Sequence, residues 1–339
     1  MRKTYIDYMK AIGALLILIA HSISYYSVTY KLVSRPIGVC GNLCYAVNGA
    51  VFFVIAGLLC HRQPVGGFYL KKIKRILIPC LFFSCLKIIY TVFISDQYAH
   101  SETLQGVLTD AFIYGRLYWF PYTIFVIFLT APLFWSDKKD KGRKSLILPT
   151  VLFAIFLILD IILSALHLEN AFLYFQLNNV CIYMPFFLMG MIISRLDIDR
   201  METALVRGWG VKTVASLLLT GLAAFILVYD MGDGDETRVM WELPYYIRFL
   251  TALPLIYLIF IASYKLPADI KPLRLAGEFS LQIMLFDSIF RTVIISILGR
   301  VADNGEWMIP VVTISSLILS VISSYLIRKI PYVRTLFGL

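Results

Sequence analysis

The chain has 339 residues, of which 60% are hydrophobic and only 15% charged, with a net charge of +10. A soluble domain carries about a quarter charged residues, so this composition, with a mean hydropathy of +0.80, excludes an ordinary soluble protein and reads as a polytopic membrane protein. No basic stretch has the aromatic interleaving of a nucleic-acid surface, so nucleic acid is not an expected partner.

Runs of about twenty apolar residues match a ~30 Å hydrocarbon core. Ten such spans are predicted, at about 8–29, 37–60, 76–95, 117–136, 145–166, 178–194, 211–230, 245–263, 280–298 and 308–327. The expected fold is therefore an all-α helix bundle forming a single transmembrane domain over residues 1–339, without a soluble domain. The apolar run after Met1, Arg2 and Lys3 is too long for a signal h-region, and no small-residue cleavage site follows it.

Basic residues set the orientation. With the N-terminus inside, the inner segments hold 22 Lys and Arg and the outer segments six. Both termini are then cytoplasmic. The outer loops are acidic instead, as at Asp230, Asp233, Asp235 and Glu236. The +10 charge thus reflects topology. No internal repeat is visible, which disfavours inverted-repeat transporters.

The first span carries Asp7, Lys10 and His21. Eleven helical steps of about 100° bring Lys10 and His21 to one face, ~16 Å apart along the axis. The ten residues between them have no polar side chain. A cation and an imidazole placed in lipid mark a functional site. Asp7 and Lys10, at i,i+3, can pair. A neutral imidazole in a dry site can act as general base toward a hydroxyl. The plainer alternative is a snorkelling Lys10 and a merely hydrogen-bonded His21.

Lys71, Lys72, Lys74 and Arg75 cluster where the third span begins. On a regular helix Lys72 and Arg75 share a face and suit a phosphate or pyrophosphate; an ordinary inner-face anchor is the alternative. In the ninth span, Asp287 and Arg291 are spaced for an i,i+4 ion pair, functional or structural. Asp160 is a further intramembrane carboxylate. His61, His100 and His167 lie at or beyond span ends, as solvated residues do. Trp119 can stack on a sugar ring or pack in the interfacial belt with Trp135, Trp241, Tyr245 and Tyr246. The six cysteines, Cys40, Cys44, Cys60, Cys80, Cys85 and Cys181, read as small buried apolar residues, and no metal spacing is present.

In order along the chain, these features resemble the acyltransferase 3 family of bacterial integral-membrane acyltransferases. The family's first helix carries an aspartate, a basic residue and, after ten intervening residues, a histidine; here these are Asp7, Lys10 and His21, with lysine where arginine is usual. Its Phe-Phe-Val-Ile-Ser-Gly motif is similar to Phe52-Phe53-Val54-Ile55-Ala56-Gly57, with Ala56 replacing the serine. The basic pair of the next loop matches Lys72 and Arg75. A Trp-Phe pair matches Trp119-Phe120, and a Phe-Phe-Leu-x-Gly pattern matches Phe186-Phe187-Leu188-Met189-Gly190. A late Ser-Leu-x-Ile-Tyr-Leu-x-His pattern is similar to Ser280–Asp287, with Met284 replacing the tyrosine and Asp287 the histidine. The soluble esterase-like domain of some relatives is not expected.

The resemblance implies O-acylation, usually O-acetylation, of a cell-surface or lipid-linked saccharide in the bacterial inner membrane. Acyl-CoA is the donor and co-substrate, with no permanently bound cofactor. It implies catalytic roles for His21, Asp7 and Lys10, and donor phosphates on Lys72, Arg75, Lys71 and Lys74, with the pantetheine arm running toward His21. Trp119, Asp287 and Arg291 are expected on the acceptor side or as braces of the bundle. The rival readings are a transporter or flippase of a glycan or lipid-linked intermediate, and a structural subunit of a glycan-assembly complex.

Overall fold

The computed structural model describes residues 3–30, 33–93, 104–135, 143–166, 174–196, 198–230, 245–267, 269–301 and 305–339. The predicted acidic outer residues Asp233, Asp235 and Glu236, together with His100, His167 and Trp241, lie outside them. The described residues are overwhelmingly helical and contain no strand. Among the described residues, eight helices are long and apolar enough to cross a membrane. The protein is an all-α, multi-pass membrane helix bundle. The third and eighth predicted spans fall on the 16-residue helix Ile78–Phe93 and on Tyr245–Lys265.

The chain forms two compact units. The first comprises Met1–Ile55 and Leu196–Ile322. At its centre is α1 (Thr4–Tyr30), and it includes most of α2 (Arg35–Leu58). The second comprises Ala56–Arg195 and Ser323–Leu339. It contains α3 (Val65–Lys72), α4 (Ile78–Phe93), α5 (Leu104–Leu108), α6 (Trp119–Thr130), α7 (Arg143–Ala165) and α8 (Leu177–Arg195). The first unit resumes with α9 (Ile198–Val206), α10 (Trp209–Asp230), α11 (Tyr245–Lys265), α12 (Lys271–Glu278), α13 (Ser280–Val301) and most of α14 (Met308–Arg328).

In the first unit, α1 packs against α11, α12 and α13. Small residues let backbones approach without a hydrophobic driving force between helices. Gly277 of α12 lies directly on the Asp7 peptide; a Cβ there would stand 1.9 Å from the Asp7 carbonyl oxygen. Gly13 faces Val51 and Phe52 of α2 at 2.8 Å on the same measure. The buried Tyr8 fixes the segment before α12: its hydroxyl donates to the Pro267 carbonyl at 2.8 Å and accepts from the Ile270 N–H at 2.8 Å.

The start of α1 is tied to α9. Lys3 donates to Asp199 at 2.8 Å and to Glu202, and Tyr5 donates to Glu202 at 2.7 Å. Burial opposes the Lys3 charge, but the bonds to the two carboxylates outweigh it and its pKa lies above the usual lysine value. The hydrogen bond from Lys3 holds Asp199 below the usual carboxylate range.

In the second unit, α7 pairs with α8 along their length. Gly57, the last residue of the first Phe-Phe motif, meets the second motif directly; a Cβ there would be 1.9 Å from the Phe187 carbonyl oxygen. Between α3 and α4 the helix widens into a π turn at Ile73–Leu77, with the Ile78 N–H bonded to the Ile73 carbonyl. Pro79 has no N–H to return to Arg75, and Gly338, at φ +71°, approaches that carbonyl instead. Phe337 fills the remaining space against Phe82 and Phe83, with ring centroids 5.2 and 5.4 Å apart.

Candidate active site

Helix α1 is unbroken from Thr4 to Tyr30, so the eleven-residue spacing holds and Lys10 and His21 project from one side. Their side chains retain 25% and 27% exposure, whereas that of Asp7 retains 2%. Lys10 Nζ stands 3.8 Å from Asp7 Oδ1, the expected i,i+3 pair.

The histidine is held from α13. His21 Nδ1 lies 2.9 Å from Asp287 Oδ2. Asp287 is almost fully enclosed, with 1% side-chain exposure. Arg291 Nη1 approaches the same Oδ2 at 3.2 Å, the expected i,i+4 pair. Ser316 Oγ donates to Oδ1 at 3.3 Å. Arg291 also lies over the Tyr25 ring at 5.5 Å, and the Tyr45 ring is 6.0 Å from the imidazole.

This geometry assigns the imidazole tautomer. A carboxylate accepts and does not donate, so Nδ1 carries the hydrogen and donates it to Asp287. Nε2 then keeps its lone pair, as a general base requires. Arg291 offsets the carboxylate charge, without which an ion in so dry a place is costly. Both Asp287 oxygens are engaged by protein donors. It can orient the ring and stabilise an imidazolium, but it has little capacity left to bind a sugar.

The basic segment is less regular than its spacing suggests. The π turn begins just after Lys72 and interrupts the helix on which Lys72 and Arg75 would share a face. Lys72 turns inward, its ammonium 3.4 Å from the Phe128 ring centroid and 5.3 Å from that of Phe68. Lys71, Lys74 and Arg75 are exposed. π turns often mark functional places in a helix. Trp119 stacks on Tyr183 at 5.3 Å with an interplanar angle of 23°. Asp160 is buried.

A family model described as an acyltransferase domain matches residues 3–329. The chain belongs to the acyltransferase 3 family. No match was found among curated proteins or among solved structures. The contact between His21 and Asp287 has the geometry by which an acid residue orients histidine in acyl-transfer triads. This chain achieves it with Asp287 at the place where the late histidine of the family's pattern would stand.

Sequence reasoning identified Asp287 and His21 separately and did not join them. The available signal was their cost: a carboxylate and an imidazole in two apolar spans both need partners. Ser316 carried no signal, being one of several serines on α14.

Proposed function

We propose that this acyltransferase moves an acetyl group from acetyl-CoA to a hydroxyl of a cell-surface or lipid-linked saccharide at the bacterial inner membrane. Family membership supports acyl transfer. The observation that supports the mechanism is the 2.9 Å bond from His21 to Asp287, which puts the hydrogen on Nδ1 and the lone pair on Nε2.

In this mechanism the sugar hydroxyl gives its proton to His21 Nε2 as its oxygen attacks the thioester carbonyl carbon. The imidazolium that forms is stabilised by Asp287. The tetrahedral intermediate collapses, the carbon–sulfur bond breaks, and the imidazolium returns the proton to the departing CoA thiolate. The products are the O-acetyl ester and free CoA.

Donor phosphates are assigned to Lys71, Lys72, Lys74 and Arg75 on the grounds of charge and family pattern. Lys72 acts from an aromatic seat that limits its motion. Lys10 holds Asp7 and adds positive potential along the face of α1 that bears the histidine. Trp119, already stacked on Tyr183, is the aromatic candidate for the saccharide. Arg291 acts through Asp287, whose charge it offsets behind the histidine.

The experiment that tests this function is chemical analysis of the surface glycan in cells with and without the chain. Loss of O-acetyl signals, restored by the wild-type chain, is the expected result. An unchanged glycan accompanied by acetyl-CoA-independent counterflow of a glycan cargo would support the transporter reading instead.

A further inference from the structure

A second polar site lies in the first unit, outside the histidine site. Helix α9 and the first turn of α10 border an open surface pocket of about 510 Å³ lined by Asp199, Arg200, Thr203, Ala204, Arg207 and Lys212. That is within the range of small-ligand sites. We propose that it holds the phosphate headgroup of an anionic phospholipid.

The lining follows from helix periodicity. Arg200, Thr203, Ala204 and Arg207 are spaced i, i+3, i+4 and i+7, so they fall on one side of α9. The small Thr203 and Ala204 leave room between two guanidinium groups. The Arg207 N–H continues the helical pattern to the Thr203 carbonyl at 2.8 Å. Gly208, at φ +64°, then turns the chain, a conformation that favours glycine at a helix end. The turn brings Lys212 back, and its ammonium donates to the Ala204 carbonyl. Three cations thus border one pocket. Its carboxylate, Asp199, is engaged by Lys3, and Glu202 on the other side of α9 is bound to Lys3 and Tyr5.

Two features favour a lipid over a soluble phosphate. Below the pocket, α10 exposes Val211, Val214, Leu218, Leu222 and Phe225, an apolar ridge on which acyl chains can lie. Beside it, the exposed Trp209 carries the Lys265 ammonium 4.9 Å above its ring, an aromatic–cation pair typical of the membrane interface. The distribution of basic residues places this elbow at the inner leaflet, where basic clusters recognise anionic headgroups.

The test uses the full chain purified in a neutral detergent. Thermal melting is followed while phosphatidylglycerol or phosphatidylcholine is added, with wild type, Arg200→Gln with Arg207→Gln, Arg207→Lys, and Arg62→Gln as an exposed cation elsewhere. Phosphatidylglycerol should raise Tm with saturation, and phosphatidylcholine should not. The double variant should need roughly tenfold more phosphatidylglycerol for the same shift, as lost charge-assisted bonds imply. Arg207→Lys and Arg62→Gln should behave close to wild type, and melting without lipid shows whether each variant is folded. Equal shifts with both lipids, or an unchanged response in the double variant, would overturn the proposal. Inorganic pyrophosphate or CoA reproducing the shift without lipid, with loss in the double variant, would overturn it in favour of a soluble phosphate.

Discussion

His21 Nδ1 and Asp287 Oδ2 stand 2.9 Å apart, although 266 residues separate them in the chain. The bond joins α1 to α13 and decides which imidazole nitrogen carries the hydrogen. An amide in place of the carboxylate cannot impose that tautomer as firmly. Asp287→Asn should lower kcat by about ten- to a hundredfold with little change in the KM for acetyl-CoA. Steady-state transfer from labelled acetyl-CoA in membranes checks this. A pure rise in the acceptor KM would instead return Asp287 to a sugar-binding role.

The charge balance behind the histidine has its own consequence. Arg291 retains 11% side-chain exposure and lies 3.2 Å from Asp287. Removing one partner strands the other, which typically costs about 3–5 kcal/mol, whereas removing both costs less. Asp287→Asn should therefore lower Tm more than the double variant with Arg291→Gln does. Thermal melting of the four proteins in one detergent gives the coupling. Additive losses would show that the two residues are not a stabilising unit.

Two glycines are fixed by backbone contact. Gly277→Ala would drive its methyl into the Asp7 carbonyl and Gly57→Ala into that of Phe187, each at 1.9 Å. Neither obstacle is a flexible side-chain end, so each change should cost about 3 kcal/mol or more and reduce the amount of monodisperse protein extracted. Gly66→Ala and Gly67→Ala meet nothing within 4 Å and should accumulate as wild type does. Size-exclusion profiles of the four variants decide the point.

The donor segment separates charge from packing. Lys72→Met should keep much of the contact with Phe68 and Phe128 while removing the cation. Combined with Arg75→Ala, it should raise the KM for acetyl-CoA with a smaller change in kcat, the signature of lost ground-state binding. An effect confined to the saccharide KM would assign the segment to the acceptor.

What the sequence revealed was what physics makes local. Apolar runs marked most of the membrane helices. The Asp7–Lys10 and Asp287–Arg291 pairs followed from spacings of three and four residues on a helix. The contacts that complete the site depend on how distant helices pack. Nothing in residues 1–30 announces Asp287, and neither Phe-Phe motif reveals that Gly57 rests on Phe187. The π turn at Ile73–Leu77 also escaped spacing arguments, because they assume a constant helical rotation. Trp119 was read as stacking on a sugar ring or packing in the belt, and nothing in the spacing pointed to its stacking on Tyr183.

The most direct measurement is acetyl transfer from labelled acetyl-CoA in membranes containing wild-type or His21→Ala protein at equal abundance. General-base catalysis of this kind is worth about 10²–10⁴-fold, so the alanine variant should lose transfer by that factor while accumulating normally. Undiminished transfer by His21→Ala would contradict the account at its centre.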